Sequence, residues 1–253
     1  MAALPAALLW DVDGTLAETE LQGHRRAFNR AFADAGLPWH WDRPLYLQLL
    51  AISGGRERLR HFLQQVSGEP AAEAQVEALQ ASKTRHYAAL VQAGELGLRP
   101  GVRRLMGEVA AAGIPQAIVT TSGRRAVAAL LESQLPEHRQ WLDFWVCGED
   151  TQRKKPAPEA YQLALERLAV PPGNVLAIED SANGVAAAVA AGLGVLVTRS
   201  ASSASEPAAA FAAAAAELDQ LGEPQAALSV RRGPACPGGC VTLSYLQQLL
   251  REP

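Results

Sequence analysis

A chain of 253 residues, 49% hydrophobic and 19% charged, can bury one substantial core, or a core with a smaller companion, without disulfides. Its 23 Lys and Arg against 26 Asp and Glu give a net charge of −3, so no bulk field draws it to nucleic acid or an anionic membrane, and any phosphate must be held by a local site. Three cysteines, Cys147, Cys236 and Cys240, make no disulfide framework, which points to a reducing compartment, the cytoplasm.

The first expected element is a strand at 6–10, preceded by no basic segment of a secretory signal and ended by Asp11. From about 19 to 93 every segment reads as helix, at 21–35, 43–50, 55–66 and 71–93, divided by Gly36, Pro38, Ser53, Gly54 and Gly68. Apolar strand-like runs return at 116–120, 144–148, 174–178 and Gly194–Thr198, with amphipathic helices at 123–135, 158–168 and 183–191. The charge-free stretch 181–198 approaches the length of a membrane helix, but Ser181, Asn183, Gly184, Gly192 and Gly194 divide it into helix, turn and strand. The alanine-rich run 208–216 is expected to be a surface helix. Strands that are apolar throughout, alternating with helices, predict an α/β fold: a Rossmann-like parallel sheet with helices on both faces. The expected core is 1–18 with 94–253, and 19–93 an inserted helical domain.

Ligands of an open parallel sheet bind beyond the carboxyl ends of its strands, and those ends are polar here. They read Asp11-Val12-Asp13-Gly14-Thr15, Thr120-Thr121-Ser122, Glu149-Asp150 leading to Lys154-Lys155-Pro156, and Glu179-Asp180-Ser181. Two apart on a continuing strand, Asp11 and Asp13 point to the same side, and Gly14 lets the chain turn. Like charges ~4 Å apart repel by roughly 4 kcal/mol at an effective dielectric of about 20, so the cluster calls for cations. Oxygen donors with coordination positions left open favour Mg²⁺, with Asp11, Asp13, Glu179 and Asp180 as the candidate metal group. Lys155 adds a further positive charge. Such parts serve phosphoryl transfer: Asp11 as nucleophile, Asp13 as acid and then base, and Lys155 and the Thr120 hydroxyl around the phosphoryl oxygens. Taken singly, Asp-x-Asp-Gly reads as a turn, Lys155 as a solvated charge and Glu179-Asp180 as a helix start; their joint position at strand ends makes them a site. Ser122 stays open between a strand-end hydroxyl and a ligand.

At these residues the sequence resembles the haloacid dehalogenase superfamily, whose four motifs match Asp11-x-Asp13-Gly14-Thr15, Thr120, Lys155 in Lys-Pro-Ala-Pro, and Glu179-Asp180-Ser181-x-x-Gly184. The helical insert is similar to that family's small cap. Within it the chain resembles CbbY-type xylulose-1,5-bisphosphate phosphatases in Ala17-Glu18-Thr19-Glu20, His24-Arg25-x-Ala27-Phe28-Asn29, Gly54-Gly55-Arg56-Glu57-Arg58, residues 154–161 and the tail 241–250. This resemblance implies a Mg²⁺-dependent sugar-bisphosphate phosphatase acting through an aspartyl phosphate. The alternatives are a phosphomutase, or a phosphatase of another small sugar phosphate. It implies substrate binding by Glu18, His24, Gly55, Arg56, Arg58, Thr120, Thr121 and Lys155, with Arg56 where the subfamily more often has lysine. Arg56 and Arg58 also follow a Gly-Gly turn near a helix start, where N–H groups favour an anion. A monomer acting on a small molecule is expected, with no nucleic-acid or membrane partner. Cys236 and Cys240, lacking nearby histidine, read as incidental thiols or a stray disulfide.

Overall fold

The computed structural model describes residues 4–250; the outermost parts of the expected terminal segments, 1–3 and 251–253, lie outside the described residues. Strands β1 (Ala7–Trp10), β2 (Gln116–Val119), β3 (Phe144–Val146), β4 (Val175–Glu179), β5 (Gly194–Thr198), β6 (Ala216–Leu218) and β7 (Val230–Arg232) form one sheet. Its order is β3-β2-β1-β4-β5-β6-β7, with every pairing parallel except β6 with β7. Trp10 is in register with Ile118 on one side and Ile178 on the other. The carboxyl ends of β1, β2 and β4 therefore open side by side.

The helices in chain order are α1 (Arg25–Asp34), α2 (Arg43–Leu49), α3 (Gly55–Ser67), α4 (Glu73–Gln92), α5 (Val102–Ala111), α6 (Arg124–Gln134), α7 (His138–Trp141), α8 (Glu159–Leu168), α9 (Ala182–Ala190) and α10 (Leu243–Leu249). Alternation along β1 sends Leu8 and Trp10 to one face, where they pack with Met106 of α5, Leu130 of α6 and Leu246 of α10. Leu9 faces the other way, into a cluster with Tyr161 of α8 and Val185 of α9. Burial on both faces is why these strands are apolar throughout. Side-chain caps start several helices, among them Ser181, which accepts from the Gly184 N–H at α9, and Asp42, which accepts from Leu45 at α2.

Between β1 and α5 the chain forms a π-helical turn, Glu20–His24, and then α1 to α4. These carry an apolar cluster of their own, with Phe28, Phe32, Tyr46 and Phe62 around Trp41. The Trp41 and Phe62 rings meet edge to face at 5.2 Å between centroids. Where the chain leaves and re-enters the sheet unit, Ala17 and Leu98 bridge the two crossings. The fold is thus α/β, a Rossmann-like sheet with an inserted helical cap.

The run 208–216 departs from the expected surface helix. A short 3-10 turn (Ala208–Phe211) leads into β6, and Phe211, Ala214 and Ala216 are buried. Packing of Phe211 and of these small side chains against the sheet overrides alanine's helix propensity. Strands β6 and β7 escape the sequence pattern because each has three residues, and β7 (VRR) is exposed throughout. The charge-free stretch 181–198 is α9, a turn at Gly192 and β5. Among the described residues no helix is long and apolar enough to cross a membrane.

Candidate active site

Asp11, the first residue beyond β1, is buried beside Lys155, whose ammonium donates to Asp11 Oδ1 at 2.8 Å, to the Val119 carbonyl at 2.8 Å and to Glu179 Oε1 at 2.6 Å. Tyr161 Oη also donates to Glu179 Oε1, at 2.5 Å, and Glu179 has no solvent exposure. A Cβ at position 184 would overlap the Glu179 carboxylate, which explains the glycine in Glu-Asp-Ser-x-x-Gly. Gly14 has φ +84°, and a Cβ there would collide with Asp180. Burial works against the Lys155 charge, but Asp11 and Glu179 outweigh it and hold its pKa above the ordinary lysine range. Burial raises Asp11 well above the usual carboxylate range; Lys155 opposes this, and the Glu179 and Asp13 charges add to it. Burial and then the charge of Asp11 do the same to Asp180.

Ligand oxygens of Asp11, Glu179 and Asp180 lie within 4.8 Å of one another, and all three residues are buried. Three carboxylates facing one ammonium leave negative charge uncompensated, and the donors are all oxygens. This set fits a hard divalent cation with positions left for water and phosphate.

The Asp13 carboxylate is engaged elsewhere. Thr19 and Ser122 hydroxyls donate to it through short hydrogen bonds, and His24 Nε2 lies 2.8 Å from its Oδ1. The His24 ring stacks on Tyr87 at 4.3 Å. Burial pushes against ionisation of Asp13, yet the charge and hydrogen bond of His24, with those from Ser122 and Thr19, hold it below the ordinary range. Asp13, expected in the metal group, is thus not among the carboxylates whose oxygens gather within 4.8 Å, which are those of Asp11, Glu179 and Asp180. Thr120, buried at the end of β2, accepts from the Ser122 N–H at 3.1 Å.

Asp11, Asp13, Lys155 and Asp180 line a small cavity of roughly 60 Å³, with Glu20 and Arg58 from the insert on its other side. Thr121 lines this cavity and also a wider cleft of about 830 Å³, where Gly55, Arg56 and Lys83 of the insert face Arg125 and Lys154. Buried Arg58 donates to Tyr46 Oη at 3.0 Å and lies 3.6 Å from Glu20, while Tyr46 donates to Glu20 at 2.5 Å. Arg56 is exposed and pairs with Glu73 at 3.3 Å. Glu18 turns to Arg99 at 3.3 Å and accepts from the Ala201 N–H at 3.2 Å, lining neither space.

Sequence reasoning missed Lys83. It is buried on α4, 5.2 Å from the Phe28 ring and 5.5 Å from the Tyr87 ring. Burial, reinforced by Arg58 and opposed by Asp13 and Glu20, brings its pKa down to about 8. The signal was present: Val76, Leu79, Tyr87 and Leu90 form the buried stripe of α4, and position 83 falls on it. Tyr46 and Ser200 were also missed. The three cysteines are free thiols. Cys236 donates to the Cys240 carbonyl at 3.3 Å, and burial pushes the Cys147 thiol up to about 12.

The family model of the haloacid dehalogenase-like hydrolases matches residues 5–192. Protein CbbY of Cupriavidus necator is 47% identical over 223 residues, 86% of either chain. A phosphoglycolate phosphatase of Shigella dysenteriae is 31% identical over 198 residues, 72% of this chain and 77% of the other. A mutant CbbY from Rhodobacter sphaeroides, in complex with xylulose-(1,5)bisphosphate, has a TM-score of 0.80 and 41% identity, covering 86% of this chain and 95% of that one. Together with the four motifs converging on Asp11, these likenesses establish that the chain belongs to the haloacid dehalogenase-like hydrolases and is a phosphatase of that family.

Proposed function

We propose that the chain is a Mg²⁺-dependent sugar-bisphosphate phosphatase that converts xylulose 1,5-bisphosphate to xylulose 5-phosphate and inorganic phosphate. The observation that carries this reading is the pair of adjoining spaces. A small cavity at Asp11 and Lys155 opens, past Thr121, beside a wide cleft lined by Arg56, Lys83, Arg125 and Lys154. In this reading one phosphate meets Asp11, and the cations of the cleft take the other. The likeness to a mutant CbbY in complex with this bisphosphate supports xylulose as the sugar. Residues 1–18 and 94–253 act in this reading as the catalytic core, and 19–93 as the cap that covers the substrate.

Asp11 attacks phosphorus, forming an aspartyl phosphate as the bond from phosphorus to the sugar oxygen breaks, and Asp13 gives its proton to the departing oxygen. Asp13, then a carboxylate, takes a proton from the water that attacks the phosphoryl group, and Asp11 is released with inorganic phosphate. In the resting site Asp13 is ionised. An arriving phosphate adds negative charge that favours its protonated form, and His24 Nε2 lies 2.8 Å from its Oδ1. Lys155 and the Thr120 hydroxyl balance the phosphoryl oxygens. Bound Mg²⁺, held by Asp11, Asp180 and the Asp13 carbonyl with Glu179 adjoining, would supply further positive charge for the transferring group.

Phosphate release from a panel of sugar mono- and bisphosphates with Mg²⁺ tests the proposal. Xylulose 1,5-bisphosphate is expected to give the highest kcat/KM. Equal or faster hydrolysis of monophosphates would overturn the bisphosphate reading, and isomer formation without net phosphate release would make the enzyme a phosphomutase.

A further inference from the structure

Beyond β5 the chain runs Arg199-Ser200-Ala201-Ser202-Ser203, a stretch outside the four motifs, and it meets the acidic triad from the side. Ser200 Oγ donates to Asp180 Oδ2 at 2.5 Å, and both residues are 3% exposed. The hydroxyl is held locally, because the Ser203 N–H donates to Ser200 Oγ at 3.1 Å while the Ser200 N–H donates to Ser203 Oγ at 3.0 Å. Ser202 Oγ at 2.8 Å and Ser203 Oγ at 3.2 Å also meet Ser200 Oγ, but an ionised carboxylate can only accept, so the hydroxyl proton on this contact belongs to Ser200.

The loop is itself held firmly. The Arg199 guanidinium lies 3.9 Å from the centroid of the Phe211 ring, pairs with Glu217 at 3.3 Å, and donates to the carbonyls of Ser203 at 2.6 Å and Glu206 at 2.9 Å. On the other side Gly14 leaves room for nothing but its hydrogen, since a Cβ there would overlap Asp180 and lie 3.0 Å from Ser200 Oγ. Asp180 is thus wedged between the catalytic turn and a braced hydroxyl. No hydrogen bond from the described residues engages its other oxygen, Oδ1.

We propose that Ser200 is a positioning residue for the metal site: by occupying Asp180 Oδ2 it presents Oδ1 as a single ligand atom, and so favours Mg²⁺ over Ca²⁺. This rests on the reading of Asp180 as a metal ligand. Mg²⁺ demands near-octahedral geometry with one oxygen per ligand, whereas Ca²⁺ accepts bidentate carboxylates and a larger, looser shell. A carboxylate with one oxygen tied down cannot swing into bidentate contact. Residues behind a metal ligand commonly set affinity in this way.

The test is calorimetric titration of Mg²⁺, and separately of Ca²⁺, into the substrate-free full-length protein as wild type, S200A, S200C and D180A. Both Ser200 variants are expected to weaken Mg²⁺ binding at least about tenfold and to narrow the preference for Mg²⁺ over Ca²⁺. S200C keeps the side-chain size and removes the strong donor, so a mere packing role would spare it, and it carries the test if S200A fails to fold. Wild-type Mg²⁺ affinity and selectivity in S200C, with D180A having lost Mg²⁺, overturns the inference alone. Wild-type affinity in D180A overturns the metal reading, and this inference with it.

Discussion

The floor of the site and the face of the insert above it are built on opposite terms. On the floor, Asp11, Lys155, Glu179 and Asp180 are all buried, and Lys155 joins two of the carboxylates directly. On the insert, Arg56 has a 43% exposed side chain and pairs with Glu73, which is itself half exposed. The difference teaches where direction comes from. A residue at a strand end inherits its orientation from the pleat and from register with two neighbours, whereas a helix residue near a surface points wherever the local packing of its helix leaves room.

Breaking the floor should therefore have the largest effects. Asp11→Asn keeps the shape but removes the nucleophile, and turnover is expected to fall at least about a thousandfold with the circular dichroism spectrum unchanged. Near-wild-type turnover would remove Asp11 from the mechanism. Chelation with EDTA is expected to stop hydrolysis and added Mg²⁺ to restore it, because the buried triad at Asp11, Glu179 and Asp180 gathers three carboxylates beside the one ammonium of Lys155. Full activity after exhaustive chelation would exclude the cation from the reaction.

Lys155→Met probes the same floor through stability. Without the ammonium, Glu179 retains Tyr161 but loses its countercharge at zero exposure. Breaking a buried pair in this way costs about 3–5 kcal/mol, read by urea unfolding at pH 7. An unchanged unfolding midpoint would show that the pair contributes nothing to the fold.

Lys83 sharpens the contrast, because it is a buried cation on the insert with no carboxylate in direct contact among the described residues. Its folded pKa of about 8 lies below the ordinary 10.5. Below pH 8 both folded and unfolded chains hold the proton, and the folded state carries the full burial penalty. Between about 8 and 10.5 the unfolded chain binds more protons than the folded one, so wild-type stability should rise with pH across that window. Lys83→Met should add on the order of 2 kcal/mol at pH 7 and flatten the rise. Parallel unfolding curves for the two proteins from pH 7 to 10.5 would refute the shift.

The same contrast governs what could be read from the sequence. Asp11, Asp13, Lys155 and Asp180 were legible because each follows or serves a strand end, and Gly14 and Gly184 mark where side chains press on backbone. Ser200 carried no signal: a serine beyond a fifth strand becomes informative once β5 is known to lie beside β4 and its loop beside Asp180. The pairing of Glu18 was not legible, since its partner Arg99 lies 81 positions on and meets it where the two crossings of the chain come together. Strands β6 and β7 were lost to shortness and exposure. Local pattern reports strand ends and helix stripes; long-range pairing decides the rest.

The smallest expected effect is also the one most particular to the substrate. Arg56 reaches into the wide cleft together with Gly55, Lys83, Arg125 and Lys154, and its pairing with Glu73 at 3.3 Å is solvent-exposed. Exposed pairs contribute about 0–1 kcal/mol, so exchanging Glu73 for a phosphate that accepts two charge-assisted hydrogen bonds from a guanidinium is favourable. Glu73 would not be stranded, because Arg60 already donates to both of its oxygens, at 3.0 and 2.7 Å. Arg56→Ala should accordingly leave the unfolding midpoint unchanged and lower kcat/KM for xylulose 1,5-bisphosphate at least about tenfold, roughly 1.4 kcal/mol. A small monophosphate, cleaved at Asp11 without reaching α3, should be hydrolysed at nearly the wild-type rate. Steady-state kinetics on the two substrates decide the matter: equal losses on both would assign Arg56 to the reacting phosphate or to the fold, and the distal phosphate would have to be sought at Arg125 and Lys154 across the cleft.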